Sequence, residues 1–148
     1  MTVTLRQAAP LDAGAVGAIL SGFVDDTPWM PRIHTRAEEL AHADDLIGRG
    51  WVTVAEQAGD VVGFIARAGH AIHALYLVPR MQGQGIGTAL LRTAQRQAPR
   101  LELWTFQAND GAQRFYHRHG FRAVEQTDGA GNDEGLPDIR FIWERQPS

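Results

Sequence analysis

Along the chain the spacing of apolar side chains changes period repeatedly, and each change predicts an element. Residues 3–7 alternate apolar and polar, as a strand with one buried face does, and Pro10 breaks them. Asp12 is placed to cap a helix whose apolar stripe is Val16, Ile19, Leu20 and Phe23. A proline-bracketed loop, residues 25–31, then carries two large apolar side chains, Trp29 and Met30. Thr35 and Glu38 have capping-box spacing and predict a second helix with Leu40, Ala41, Asp44 and Ile47 on one face, ended by Gly48 and Gly50. Residues 51–57 and 61–67 read as the strands of a hairpin. Residues 71–78 are apolar apart from His73 and the Tyr76 hydroxyl, a buried strand that Pro79 ends. From Ile86 the period becomes helical through Ala89, Leu90, Thr93 and Ala94, to about Gln97. Residues 101–106 are a strand. Asn109 or Asp110 caps a fourth helix with Ala112, Phe115, Tyr116 and His119 on one face, stopped by Gly120. Residues 121–126 form a strand, residues 127–137 a flexible glycine-bearing loop, and residues 139–144 the last strand.

The predicted order is β-α-α-β-β-β-α-β-α-β-β. Hairpins combined with one clear βαβ crossover imply an α/β (α+β) fold, a mixed and mostly antiparallel sheet with helices on both faces. A length of 148 residues suits one domain, spanning residues 1–148. The net charge of −3 argues against general nucleic-acid affinity. There is no cysteine, which removes disulfides, thiolate metal sites and a cysteine nucleophile. No apolar run approaches membrane-spanning length and no signal pattern opens the chain, so the expected location is the cytoplasm.

Candidate chemistry concentrates between the buried strand and the third helix. Gly83, Gly85 and Gly87 alternate with single residues there, so the backbone can turn tightly and approach a ligand. The first N–H groups of the helix lack internal partners and sit at the positive end of its dipole, which suits a phosphate. Between Asp60 and Glu102 there is no acidic residue, whereas Arg67, Arg80, Arg92, Arg96 and Arg100 fall within that stretch. The resulting positive field favours a phosphorylated ligand. A P-loop fits badly because the chain has no lysine, and the dinucleotide fingerprint fits badly because the spacing is G-x-G-x-G in mid-chain, which leaves a dinucleotide-dependent oxidoreductase a distant third reading.

Gln82-Gly83-Gln84-Gly85-Ile86-Gly87 resembles the acyl-coenzyme A loop of the GNAT N-acetyltransferases, Gln/Arg-x-x-Gly-x-Gly/Ala after a strand and opening a helix. Asn109, Phe115-Tyr116 and Gly120-Phe121 extend the resemblance, which covers about residues 72–124. It implies the GNAT fold and a transferase that moves an acetyl group from acetyl-CoA to a primary amine of a small molecule or peptide. The alternative is a non-catalytic acyl-CoA-binding module or sensor on the same fold. By resemblance, backbone groups around Leu77 and Val78 pair with the pantetheine arm. The N–H groups of Gly83, Gln84, Gly85, Ile86, Gly87 and Thr88 hold the pyrophosphate, and Gln82 and Asn109 join the coenzyme site. Arg80, Arg114 and Arg118 are candidates for the 3′-phosphate. Tyr116 falls where the family carries its general acid, and a neutral phenol is protonated at neutral pH. His73 is the best-placed general base, with Glu102 or a water chain as alternatives. Trp29 and Met30 are candidates for the acceptor pocket wall or packing anchors, and Asp128, Asp133, Glu134 and Asp138 would suit a cationic amine. No metal is expected, and a homodimer through sheet edges is common in the family.

Overall fold

The computed structural model describes residues 2–147. Its elements follow the anticipated order: β1 (Thr4–Gln7), α1 (Ala13–Asp26), α2 (Arg36–Gly48), β2 (Val52–Gln57), β3 (Asp60–Ala68), β4 (Ala71–Leu77), α3 (Ile86–Gln97), β5 (Arg100–Phe106), α4 (Asp110–Arg118), β6 (Arg122–Thr127) and β7 (Asp138–Glu144). The strands form one sheet in the order β1-β2-β3-β4-β5-β7-β6, antiparallel except between β4 and β5. Alternation sends successive side chains to opposite faces. On one face Val54 and Phe64 meet Val16 and Ile19 of α1 and Leu46 and Ile47 of α2. On the other, Leu101 and Phe141 meet Leu90 and Leu91 of α3 and Tyr116 of α4. Each large apolar side chain so buried contributes about 1.5–3 kcal/mol.

The parallel pair is where the sheet divides. β4 and β5 register only at Ala71 and Glu102, beside a 2.7 Å bond from the Glu102 N–H to the His70 carbonyl. Beyond that point β4 stays with β3, while β5 pairs along its whole length with β7. Each strand thus keeps one partner and the two diverge. A second irregularity lies next to the split: Ala66 opposes Ala74 but Arg67 opposes Ile72, so His73 is the extra residue of a β-bulge.

The capping box at α2 is present in both directions, Glu38 N–H to Thr35 Oγ1 at 3.1 Å and Thr35 N–H to Glu38 Oε1 at 2.9 Å. Three local expectations are corrected. The buried face of α2 is Ala43, Leu46 and Ile47, with Leu40 45% exposed. α1 approaches so closely at Gly17 that a Cβ there would lie 3.0 Å from the Leu40 Cα, so backbone rather than side chain meets α1. Asp12 precedes α1 without capping it, because its carboxylate takes the Ala9 N–H at 2.7 Å and the Arg6 guanidinium at 2.8 and 3.0 Å. That hydrogen-bonded pairing with Arg6 holds Asp12 below the usual carboxylate range. The segment between β6 and β7 is tied rather than loose. The Asn132 side chain donates to the Leu136 carbonyl at 2.8 Å and accepts the Leu136 N–H at 3.2 Å. Gly129 makes this fold-back possible, since a Cβ there would lie 2.3 Å from the Leu136 backbone.

Candidate active site

After β4, Pro79–Met81 forms a short 3-10 turn whose Met81 side chain is buried and anchors the loop that follows. Gly83 and Gly85 then adopt φ of +79° and +82°, the left-handed region that favours glycine. The second of these turns is the cap from which α3 starts. Backbone N–H groups from Gly83 to Thr88 find no acceptor among the described residues, the next bond being Ala89 N–H to the Gly85 carbonyl at 3.0 Å. A row of unmet donors at the positive end of a helix dipole forms a cradle suited to an anion. Gln84 turns back, donating to the Arg80 carbonyl at 3.2 Å. Ile86 is buried in the core, so these two residues offer the cradle only their backbone. The Gln82 side chain makes no hydrogen bond among the described residues and faces the adjoining cavity.

That cavity, about 620 Å³, opens between β4 and α4 where the sheet divides, with Leu77, Gln82, Thr88, Asn109, Phe115 and Tyr116 on its walls. The Val78 N–H is given to the Val62 carbonyl at 2.9 Å and its carbonyl receives the Met81 N–H at 3.0 Å. Alternation therefore leaves Leu75 and Leu77 as the β4 residues whose backbone groups face the split. Asn109 Oδ1 caps α4 through the Ala112 N–H at 3.0 Å while its residue lines the cavity. Thr88 Oγ1 lies 3.1 Å from His119 Nε2. Burial and the nearby Arg118 and Arg92 shift His119 down, towards its neutral form. Arg118 reaches the cavity over the Phe115 ring, whereas Arg80 and Arg114 are not on its wall.

The Tyr116 ring is fixed by edge contacts with Phe115 and Phe121 at 5.3 and 5.4 Å between centroids. Its hydroxyl has no hydrogen-bond partner among the described residues, and the residue is on the wall of the cavity. Burial pushes its pKa well up, which keeps the phenol protonated.

A second cavity of about 770 Å³ lies on the far side of β4, between α1, α2 and the β6–β7 segment. Tyr76 and Phe23 line both cavities, with their rings 4.8 Å apart, and form the partition between them. Burial, helped by the charge of Glu134, pushes the Tyr76 phenol up to about 12. Met30 lines this second cavity. Trp29 instead packs edge-on against Phe106 at 5.8 Å and Phe23 at 6.4 Å, so of the pair one is wall and the other anchor. His73, aimed by the bulge, is on the wall of the second cavity and stacked on Trp51 at 5.1 Å. It does not line the cavity that holds Tyr116. Glu102 is paired with Arg140 at 3.1 Å and lines neither. Of the four acids between residues 128 and 138, Asp128 and Asp138 bond within their own segment, and Asp133 and Glu134 face the second cavity.

The partition is what sequence reasoning missed. Tyr76 reads as one more residue of a buried strand, although its parity, opposite to Leu75 and Leu77, already sends it to the α1 face. Nothing in the spacing of Phe23 or Glu134 places them beside it, because they arrive from the two ends of the chain.

The acetyltransferase (GNAT) domain family matches residues 48–123. A peptidyl-lysine N-acetyltransferase, YjaB of Salmonella typhimurium, is 35% identical over 145 residues, covering 97% of this chain and 99% of the relative. The fold is that of the solution structure of apo YjaB from Escherichia coli, with TM-score 0.81 and 22% identity over 99% of this chain and all of that one. It is also that of YncA from Salmonella typhimurium, solved with acetyl-CoA, at TM-score 0.75 and 23% identity over 100% and 96% of the two chains. The split sheet, the glycine cradle and these likenesses have one meaning: the chain belongs to the GNAT acetyltransferase family, and is an acetyl-CoA-dependent N-acetyltransferase.

Proposed function

We propose that this chain transfers acetyl from acetyl-CoA to the side-chain amine of lysine in peptides or proteins, with Tyr116 as general acid. The observation that carries the reading is the pair of cavities meeting at Tyr76 and Phe23, one with an anion cradle and Tyr116, the other open to an acceptor. The acceptor class is supported by the peptidyl-lysine activity named for the relative that aligns over nearly the whole chain.

Bound acetyl-CoA supplies the thioester carbonyl to be attacked and the thiolate that leaves. The free N–H groups from Gly83 to Thr88 suit its pyrophosphate, Leu75 and Leu77 its amide-bearing arm, and Gln82 and Asn109 the wall along that arm. Arg118 is the arginine placed to meet a further phosphate. Tyr116, neutral across the physiological range, donates a hydrogen bond and then a proton to the departing sulfur. An alkylammonium near pKa 10 must lose its proton before attack, and His73 is the proposed acceptor of it, directly or through water along the second cavity.

Thermal unfolding with acetyl-CoA, CoA and NAD, followed by thiol release with a lysine peptide, tests the reading. Ligand at about 100 Kd should add roughly 2.7 kcal/mol to stability. A rise in Tm with acetyl-CoA and CoA but not NAD, and thiol release that needs the peptide, is the expected result. No rise at millimolar acetyl-CoA, or a rise without turnover of any amine, contradicts it.

A further inference from the structure

The wall of the second cavity carries four carboxylates, Glu38, Glu39, Asp133 and Glu134, with one arginine, Arg32, and three histidines, His34, His42 and His73. Arg32 is on its wall, but is paired with Asp25 at 2.7 Å and with Glu39, so both the cation and Glu39 are accounted for. Glu38 is occupied in the α2 cap, accepting the Thr35 N–H at 2.9 Å. Glu134 has no hydrogen bond and no ion pair among the described residues, is half-buried, and stands against the Tyr76 partition. It is also held in place, since the Asn132 side chain clasps the Leu136 backbone from both sides. A half-buried carboxylate left without a partner on a cavity wall is the group there that a ligand cation would pair with.

The position of Glu134 decides which cation. It lines the second cavity and not the one with Tyr116. A carboxylate beside the reacting nitrogen would hold its proton, whereas attack needs that proton gone. Resting on the acetyltransferase reading, we propose that Glu134 selects the acceptor by pairing with a second positive charge on it, an ammonium or guanidinium flanking the amine that is acetylated. Asp133, exposed at the rim of the same cavity, adds to the field without being required.

The test compares lysine peptides that differ only in one arginine or alanine near the single lysine, together with putrescine against butylamine. Wild type should favour the doubly charged acceptor by about fivefold in kcat/KM, through KM, the size expected for one partly exposed ion pair. Raising the salt should shrink the preference. In Glu134→Gln the ratio should fall to about one, while the acetyl-CoA-induced rise in Tm shows the variant folded. Preference confined to the peptides identifies a basic peptide as the source of the charge, and preference confined to the diamine a small polyamine. Equal rates in wild type, or a preference that survives in Glu134→Gln, overturn the proposal and leave the acetyltransferase reading intact. Binding of acetyl-CoA with no turnover of any acceptor overturns both.

Discussion

The two cavities share a wall but are built differently. The one with Tyr116 has β4 and α4 for walls, but its unmet donors come from a single short stretch, in which a 3-10 turn, two left-handed glycines and the start of α3 present bare backbone. The other is assembled from α1, the loop before α2, α2, β4 and the β6–β7 segment, and presents side chains. A backbone cradle recognises what is common to a ligand class, and its demands on sequence are narrow. A pocket of side chains from distant segments can be retuned one residue at a time. The difference matches a fixed donor and an acceptor that varies between members of a family.

Variants should therefore separate by which ligand they affect. The largest effect is expected at the cradle. Gly85→Val puts a β-branched residue at φ +82°, a conformation that costs about 1–3 kcal/mol, and the loop must shift to relieve it. The KM for acetyl-CoA should rise on the order of 10- to 100-fold with the acceptor KM little changed. On the other side, Met30→Ala removes apolar wall and should raise the acceptor KM several-fold while the Tm shift with acetyl-CoA is retained. Two helix caps sharpen the contrast. Thr35→Ala and Asn109→Ala should each destabilise by about 1 kcal/mol, read as a lower Tm. Only Asn109→Ala should also weaken acetyl-CoA, because only that cap lines the first cavity.

The smallest effect is a pH dependence of the two buried tyrosines, Tyr116 and Tyr76. Burial holds Tyr116 and Tyr76 protonated above the ordinary tyrosine value, so the folded state keeps protons that the unfolded chain releases. Stability that these phenols contribute is complete below about pH 10 and is lost as pH rises beyond it. Tyr116→Phe should flatten the fall in Tm between about pH 9 and pH 11.

The same contrast explains what could be read from the chain. Element order, the α2 capping box and the glycine loop are local: each depends on residues within a few positions of one another, so spacing reveals them. The buried face of α2 is not legible in spacing, because the close approach at Gly17 is a tertiary fact that turns Leu40 outward. Asp12 resembles a cap in sequence, but Arg6 and the Ala9 N–H hold its carboxylate instead. The partition by Tyr76 and Phe23 and the unpaired Glu134 depend on residues more than 50 positions apart, joined only by the sheet order. Local pattern carries no signal for such a meeting. The β4–β5 split is intermediate: the crossover between them is legible, but its single registered pair is not.

The most direct measurement is the turnover of Tyr116→Phe with acetyl-CoA and a lysine peptide, with acetyl-CoA binding followed by Tm on the same preparation. The account predicts a kcat lower by about 100-fold, the lower end for a lost general acid, and an unchanged Tm shift with acetyl-CoA. A variant that binds acetyl-CoA and turns over at the wild-type rate would contradict it, and would leave Tyr116 as a packed aromatic at the edge of the donor cavity.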